Sequence, residues 1–378
     1  MARLGQEVHV WALGRSGDAS FYRTVDPAVT THVVPLADVE GESVGQRVTR
    51  SIATLAAWVD PAGCDVVHAQ DCISANAIPG CIRTVHHLED FTTPQLAACH
   101  ERAILTPAAH VCVSRSVAGE LLAGWGIPAT VIPNGVDAER FARAAGPGPT
   151  ERAARAAWRR RVGRPYVLAV GGIEPRKGTL DLVSAFAQLS RLHPGHALVV
   201  AGGETLIDYR SYRTEVDQRC AELGVAPVVL GPVADPELPA LVAGADALAF
   251  PSTKEGFGLA AMEALAAGVP VVMRDLPVLR EVFGPAVTFA STPPALAAAL
   301  PRSCSAGSLR WRLRAGALPP ATPGPPPPPP TSASTGPCWS GGRSAEVNRT
   351  VGRSWRCPAA ACTGRLRRLS VGGGAESG

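Results

Sequence analysis

Pro251-Ser-Thr-Lys-Glu-Gly-Phe-Gly-Leu-Ala-Ala-Met-Glu263 is the stretch on which the fold turns. Ahead of it, Ala245-Asp-Ala-Leu-Ala-Phe250 is a short apolar run of strand length. Behind it, Leu259 to Ala267 is rich in Ala, Leu and Met and predicts a helix, stopped by Gly268-Val-Pro270. Strand, Gly-punctuated turn and helix in this order aim free backbone N–H groups and the positive end of a helix dipole at whatever lies above the sheet. Glu255 sits in the turn and Glu263 about two turns into the helix, roughly 10 Å deeper. At that separation they are not a close acid/base pair. They suit the two ends of an elongated anionic ligand, or else they are solvated glutamates flanking an ordinary turn.

At 378 residues the chain has room for two domains. No run of 18 apolar residues predicts a transmembrane helix, which leaves only peripheral membrane contact open, and the start lacks the regions of a signal peptide. Ten cysteines at irregular spacing do not form a disulfide framework. Cys64, Cys72, Cys81, Cys99 and Cys112 are expected to pack as small apolar residues in a reducing cytoplasm. The net charge of +4 conceals an asymmetry: residues 301–378 carry +9 and residues 1–300 carry −5. The basic balance is therefore no argument for nucleic-acid binding. Only two of the 36 basic residues are lysines, Lys177 and Lys254, and both lie in Gly-containing turns.

Short apolar runs alternate with helical patterns along most of the chain, which predicts parallel sheets covered on both faces. Strands are expected at Glu7–Leu13, His32–Leu36, Asp65–His68, Ile82–His86, His110–Val113 and Ala129–Ile132. A second set covers Tyr166–Val170, Ala197–Ala201, Val228–Leu230, Ala247–Phe250, Val269–Met273 and Val287–Ala290. The fold class is α/β, with two Rossmann-like doubly wound domains facing a cleft and a disordered C-terminal tail. The first domain spans residues 1–140, a linker 141–164, the second domain 165–300 and the tail 301–378. That tail holds eight residues among Val, Ile, Leu, Met, Phe and Tyr against twelve prolines, too little apolar surface to offset chain entropy. Its Pro/Arg/Gly/Ser composition is also what an out-of-frame reading of GC-rich DNA gives.

In such sheets ligands sit beyond the carboxyl ends of the strands. Gly171-Gly-Ile-Glu-Pro-Arg-Lys-Gly178 follows a strand and precedes a helix. Its glycines, Gly171 and Gly172, admit close backbone approach. Arg176 and Lys177, expected at the open cleft, place two cations where a diphosphate leaving group needs its charge neutralised. There is no Gly-Lys-Ser/Thr of a P-loop and no strand–Gly-x-Gly-x-x-Gly–helix unit, so neither ATP hydrolysis nor a nicotinamide cofactor is indicated.

Taken together, Glu255-x7-Glu263, the Gly-Gly-x-x-x-x-Arg-Lys-Gly loop, Pro133-Asn-Gly-Val-Asp137 and Ala266-Ala-Gly-Val-Pro-Val271 occur in an order that resembles the retaining GT-B glycosyltransferases of glycosyltransferase family 4. The similarity covers about residues 1–298. It implies transfer of a hexose from a nucleotide diphosphate sugar to an acceptor hydroxyl with retention of configuration. By this resemblance Glu255 contacts the donor sugar, Glu263 holds the ribose, Arg176 and Lys177 bind the diphosphate with the Gly256, Phe257, Gly258 and Leu259 amides, and Gly231 lies by the base. His86, in His86-His-Leu-Glu-Asp90, is the candidate for reaching the donor sugar, unless it is merely a packed strand-end residue. A metal held by His86, His87, Glu89 and Asp90 would need convergence from one loop, and no Asp-x-Asp pair stands where a metal-dependent sugar transferase needs it. No metal or cofactor is therefore implied. Asp71 either binds acceptor or caps the next helix. Two rivals stand beside this reading, a nucleotide-sugar epimerase of the same fold and a non-catalytic nucleotide-sugar-binding fragment. The family begins with a strand and a Gly-rich loop, and the resemblance starts after both in this chain, so the first sheet is expected to lack its central strand, with Met1 expected to be an internal start.

Overall fold

In the computed structural model, residues 1–14, 25–89, 91, 93–203, 209–305 and 367–372 are described, the last six and 301–305 by their backbone. The first unit contributes strands β1 (Glu7–Leu13), β2 (Val29–Val34), β3 (Val66–Ala69), β4 (Ile82–Val85), β5 (Ala109–Cys112) and β6 (Thr130–Val131). The second contributes β7 (Tyr166–Val170), β8 (Ala197–Ala201), β9 (Val228–Gly231), β10 (Ala247–Phe250), β11 (Val271–Met273) and β12 (Thr288–Phe289). A last strand, β13 (Arg367–Gly372), belongs by pairing to the first sheet. The sheets run β2-β1-β13-β3-β4-β5-β6 and β12-β11-β10-β7-β8-β9, and every strand pair in both is parallel.

The second sheet shows why its strands read as unbroken apolar runs. Tyr166, Leu168, Val199 and Leu248 pack on one face, while Val167, Leu198, Ala247 and Val272 pack on the other. With period-two alternation, a strand covered on both sides must be apolar at every position. The strand order also reverses between β7 and β10. Such a reversal opens a crevice at the carboxyl ends of the two strands, because their following helices leave to opposite faces. The Gly171–Gly178 and Pro251–Gly258 loops are the ones that follow β7 and β10, so the topology alone brings them together.

Several boundaries differ from expectation. The second strand is Val29–Val34 rather than His32–Leu36, because pairing in register with Val8–Leu13 fixes it earlier. The segment 141–164 is no loose linker, since helices Ala138–Ala144 and Pro149–Val162 occupy it. Phe141 and Trp158 bury themselves in the core of the second unit, and Arg159 ties the longer helix to the Gly244 carbonyl and to Asp246. Tertiary burial of two aromatic rings decided this against the Ala/Gly/Pro composition. Most of the tail, residues 306–366 and 373–378, lies outside the described residues. Two parts of 301–378 do take regular structure: helix Pro293–Ser305 runs past residue 300, and Arg367–Gly372 stands as a strand in the middle of the first sheet. The sheet therefore has a central strand, drawn from the far end of the chain. Among the described residues no helix is long and apolar enough to cross a membrane.

The two units touch through a mixed cluster. Phe257 and the partly buried Leu259 of the second pack with Val85, Leu88 and Val117 of the first. Beside them, the Glu281 carboxylate accepts hydrogen bonds from the Arg115 and Ser116 amides at 2.7 and 2.8 Å, capping a first-unit helix from the second unit. His100 lies close by, 7% exposed, edge-on to Phe91 and Trp125, and its Nε2 has no hydrogen-bond partner among the described residues. Burial, followed by the charge of Arg83, pushes its imidazole down to about 4, with Glu89 opposing and His87 and Lys254 adding to the shift. The unfolded chain protonates this ring near pH 6.5 and the folded chain does not until about 4. Stability from its burial is thus complete above about pH 6.5 and falls as the pH drops, by up to about 1.4 kcal/mol per unit. Urea unfolding at pH 7 and pH 5 is expected to show roughly 2 kcal/mol less stability at the lower pH from this residue. His100→Phe should flatten that difference, and an unchanged difference would remove His100 as its source.

Candidate functional site

The crevice between β7 and β10 gathers the charges the motifs supplied. Pro175–Lys177 forms a single 3-10 turn, and Gly178 at φ 66° then starts helix Thr179–Leu192. That left-handed residue is needed twice over, since a Cβ there would also overlap the Pro251 carbonyl oxygen. The Arg176 carbonyl accepts from the Thr253 amide at 2.7 Å, locking the two loops together. Across this seam Lys177 Nζ donates to Glu255 Oε1 at 3.0 Å, and Arg176 NH1 lies 3.6 Å from the same oxygen. Arg176 NH2 also donates to Glu174 Oε1 at 3.0 Å. The result is two cations and two carboxylates sharing one crevice.

The cations are not at an open cleft as expected. Lys177 is 9% exposed and the Glu255 side chain 8%. The lysine stem runs against Gly171, where a Cβ would meet its Cε at 3.1 Å, and Nζ stands 5.7 Å from the Phe250 ring centroid. Folding its methylenes onto apolar wall while the ammonium reaches a carboxylate is the usual behaviour of a long cationic side chain. Gly171, Gly172, Lys177, Phe250 and Ser252 line a small cavity at this point.

Glu263 lies on helix Leu259–Ala266 and is 3% exposed. The helix starts at Leu259, so Glu263 is about one turn in, roughly 6 Å along the axis, not two turns. Gly258, at φ 97°, is the N-cap residue, so the amides of Gly256 to Leu259 lie at the positive end of this helix. The Phe257 and Leu259 side chains serve the contact between the units, which leaves only their backbone to a ligand. A Cβ on Gly256 would overlap the His86 carbonyl oxygen, so this loop presses directly on the first unit. Gly231 ends β9 at φ 68°, with its carbonyl taking the Gly202 amide at 3.0 Å.

From the first unit, His86 follows β4, and Gln70 Oε1 accepts from its Nε2 at 3.2 Å. Burial, then the neighbouring His87 charge, lowers the His86 pKa, which keeps the ring neutral at pH 7. His87 pairs with Glu89 at 2.7 Å. Burial would raise the Glu89 carboxyl, but the His87 hydrogen bond and the charges of His87, Arg176 and Lys254 hold it below the usual range. Asp90 lies outside the described residues. Asp71 caps helix Cys72–Ala77, accepting from the Ser74 amide at 2.7 Å, so its carboxylate is engaged in local structure. Glu174, Gln70 and Glu281 were not singled out from sequence. Glu174 was legible inside its motif, whereas the other two act only through neighbours distant along the chain.

Two family models match the chain. Residues 1–140 match Glycosyltransferase Family 4 and residues 150–313 match Glycosyl transferases group 1. D-inositol 3-phosphate glycosyltransferase of Actinosynnema mirum is 31% identical over 311 residues, covering 72% of each chain. The chain belongs to the GT-B glycosyltransferases of family 4. Glycogen synthase of Mycobacterium tuberculosis is 38% identical over 148 residues, 39% of this glycosyltransferase and 32% of that protein. The chain thus spans about a third of the length of that synthase. Among solved structures, HepE of Anabaena in complex with UDP-glucose superposes with a TM-score of 0.59 at 18% identity, covering 82% of this chain and 95% of that one. That likeness concerns the fold.

Proposed function

We propose that this glycosyltransferase moves a hexose from a nucleotide diphosphate sugar to an acceptor hydroxyl with retention of configuration. The observation that carries the reading is the buried Lys177–Glu255 contact at the strand-order reversal, with Arg176 at 3.6 Å from the same carboxylate oxygen. Two cations there can take a diphosphate as its bond to the sugar breaks, and the amides of Gly256 to Leu259 add dipole stabilisation. As the diphosphate engages Lys177, Glu255 is released to hold the sugar hydroxyls. Glu263 takes the ribose, Gly231 lies by the base, and the glycines at 171 and 172 allow the phosphates to approach the backbone. His86, neutral and fixed by Gln70, donates to or accepts from the sugar. No metal is assigned a part, because the two cations supply the charge. Support for a nucleotide-sugar donor comes from the UDP-glucose complex of the Anabaena protein. A reducing cytoplasm suits the buried thiols of Cys81, Cys99 and Cys112, whose pKa values burial raises.

Turnover against UDP-, GDP- and ADP-sugars, with the anomeric configuration of the product read by NMR and a parallel run in chelator, tests this directly. Binding without transfer or hydrolysis would replace an enzyme by a nucleotide-sugar binder. The roles of the two glutamates separate by calorimetry. Glu263→Gln should weaken the free nucleotide as much as the intact donor. Glu255→Gln should leave the free nucleotide nearly unaffected and weaken only the sugar nucleotide, and the reverse pattern would exchange the roles.

A further inference from the structure

The crevice between β7 and β10 has a charged neighbour that the motifs did not include. Arg274 directly follows β11, which lies beside β10 and one strand further from β7. Its amide donates to the Phe250 carbonyl at 3.0 Å, so its main chain is fixed to the end of β10. From there the guanidinium spreads over the carboxyl ends of the strands. Nε donates to the Pro251 carbonyl at 2.9 Å, NH1 to the Ser291 carbonyl at 3.1 Å, and NH2 to the Asp181 carboxylate. We propose that Arg274 is a positioning residue of the donor crevice. It fixes the Pro251–Gly258 loop against the first turn of helix Thr179–Leu192, so that Lys177 and Glu255 meet the diphosphate and the sugar in one geometry. The inference rests on the reaction proposed above.

Three observations carry this. The first is reach. β11 and β7 are two strand spacings apart, about 10 Å, and Asp181 belongs to the helix that follows β7. A planar guanidinium can serve three acceptors in three directions, whereas a lysine offers one point of charge on a flexible stem. The second is where the fork sits. The Pro251 carbonyl is the group that a Cβ on Gly178 would overlap, and Arg274 NH2 lies 3.5 Å from the same point. The guanidinium therefore stands at the closest approach of the two loops, beside the glycine that directly follows Lys177. Farther along the seam the Thr253 amide meets the Arg176 carbonyl at 2.7 Å, so the stem of the Glu255 loop is tied at both Pro251 and Thr253. The third is charge. Asp181 lies in the first turn of its helix, whose positive end faces the crevice. An uncompensated carboxylate there would oppose an arriving diphosphate, and Arg274 neutralises it. None of these three acceptors is a group assigned to the donor, so Arg274 acts through the loops. With side chains 17% and 40% exposed, the Arg274–Asp181 pair adds little to global stability.

Amide exchange of the unliganded chain, followed by steady-state kinetics, tests this with Arg274→Ala and Arg274→Lys. In both variants peptides covering 251–258 should exchange about tenfold faster, while those covering β8 keep the wild-type rate. kcat should fall by about 10- to 100-fold, the scale for a reacting group displaced by about 1 Å. Donor KM should change little, since the loss falls on the transition state. Methylguanidinium should raise kcat in Arg274→Ala and leave the wild type unchanged, a recovery that lost folding would not show. Arg274→Lys keeps a cation beside Asp181 but not the fork, so a wild-type kcat in that variant overturns the proposal. A loss in Arg274→Ala that matches its unfolded fraction and ignores methylguanidinium overturns it as well. Arg219→Gln, on the exposed side of helix Arg210–Leu223, should match the wild type throughout. Should the wild-type chain transfer no sugar, the proposed reaction fails by itself, and exchange still decides the clamp: unaltered rates across 251–258 in Arg274→Ala overturn it.

Discussion

Lys177→Ala should lower kcat/KM on the correct donor by about 100- to 1,000-fold, or roughly 3–4 kcal/mol of transition-state stabilisation. The size follows from what the ammonium does as the diphosphate leaves: it meets charge that develops during bond breaking, in a crevice from which water is largely excluded. The variant should also lose stability, because Glu255 is 8% exposed and, among the described residues, keeps the more distant guanidinium at 3.6 Å. Removing one partner of a buried pair leaves the other charge poorly compensated. Lys177→Met keeps the apolar stem against Gly171 and Phe250 while deleting the charge, so it separates the packing loss from the electrostatic one. Arg176→Ala should fall in the same direction with a smaller stability effect, as its side chain is 19% exposed. Steady-state kinetics with urea unfolding of each variant makes the comparison. A Lys177→Ala enzyme with wild-type kcat/KM would remove the diphosphate assignment.

The second large effect is steric. A methyl group at Gly256 would overlap the His86 carbonyl oxygen, which belongs to backbone at the end of β4 and has little room to retreat. Overpacking of this kind costs about 1–3 kcal/mol where side chains can adjust, and here the obstacle is main chain. Gly256→Ala should therefore push the Pro251–Gly258 loop off the first unit and draw Phe257 out of its cluster with Val85 and Leu88. Both the thermal midpoint and kcat/KM should fall, with the loss in kcat/KM at least tenfold because Glu255 shares the displaced loop. Gly195→Ala, where a Cβ meets open space, is the matched control. If Gly256→Ala behaves like that control, the contact between the units does not depend on this glycine.

The chain's local chemistry was enough to identify the two parallel sheets and the crevice of the second. Buried parallel strands must be apolar at every position, and loops after them must be Gly-rich to let the backbone approach a ligand. Both demands leave marks within a few residues, which is why Ala247–Phe250 and Gly171–Gly178 could be read directly. The helical stretch 138–162 hid behind its Ala/Gly/Pro composition, since its stability comes from Phe141 and Trp158 entering a core assembled elsewhere. The burial of Lys177, the capping role of Asp71 and the reach of Glu281 to the Arg115 and Ser116 amides were decided in the same way, by partners remote in sequence or by local geometry that two readings shared. The clearest case is Arg367–Gly372. Six residues at the end of a Pro/Arg-rich stretch carry too little apolar surface to order themselves, and only the paired edges of β1 and β3, more than 290 positions earlier in the chain, supply the hydrogen bonds that make them a strand.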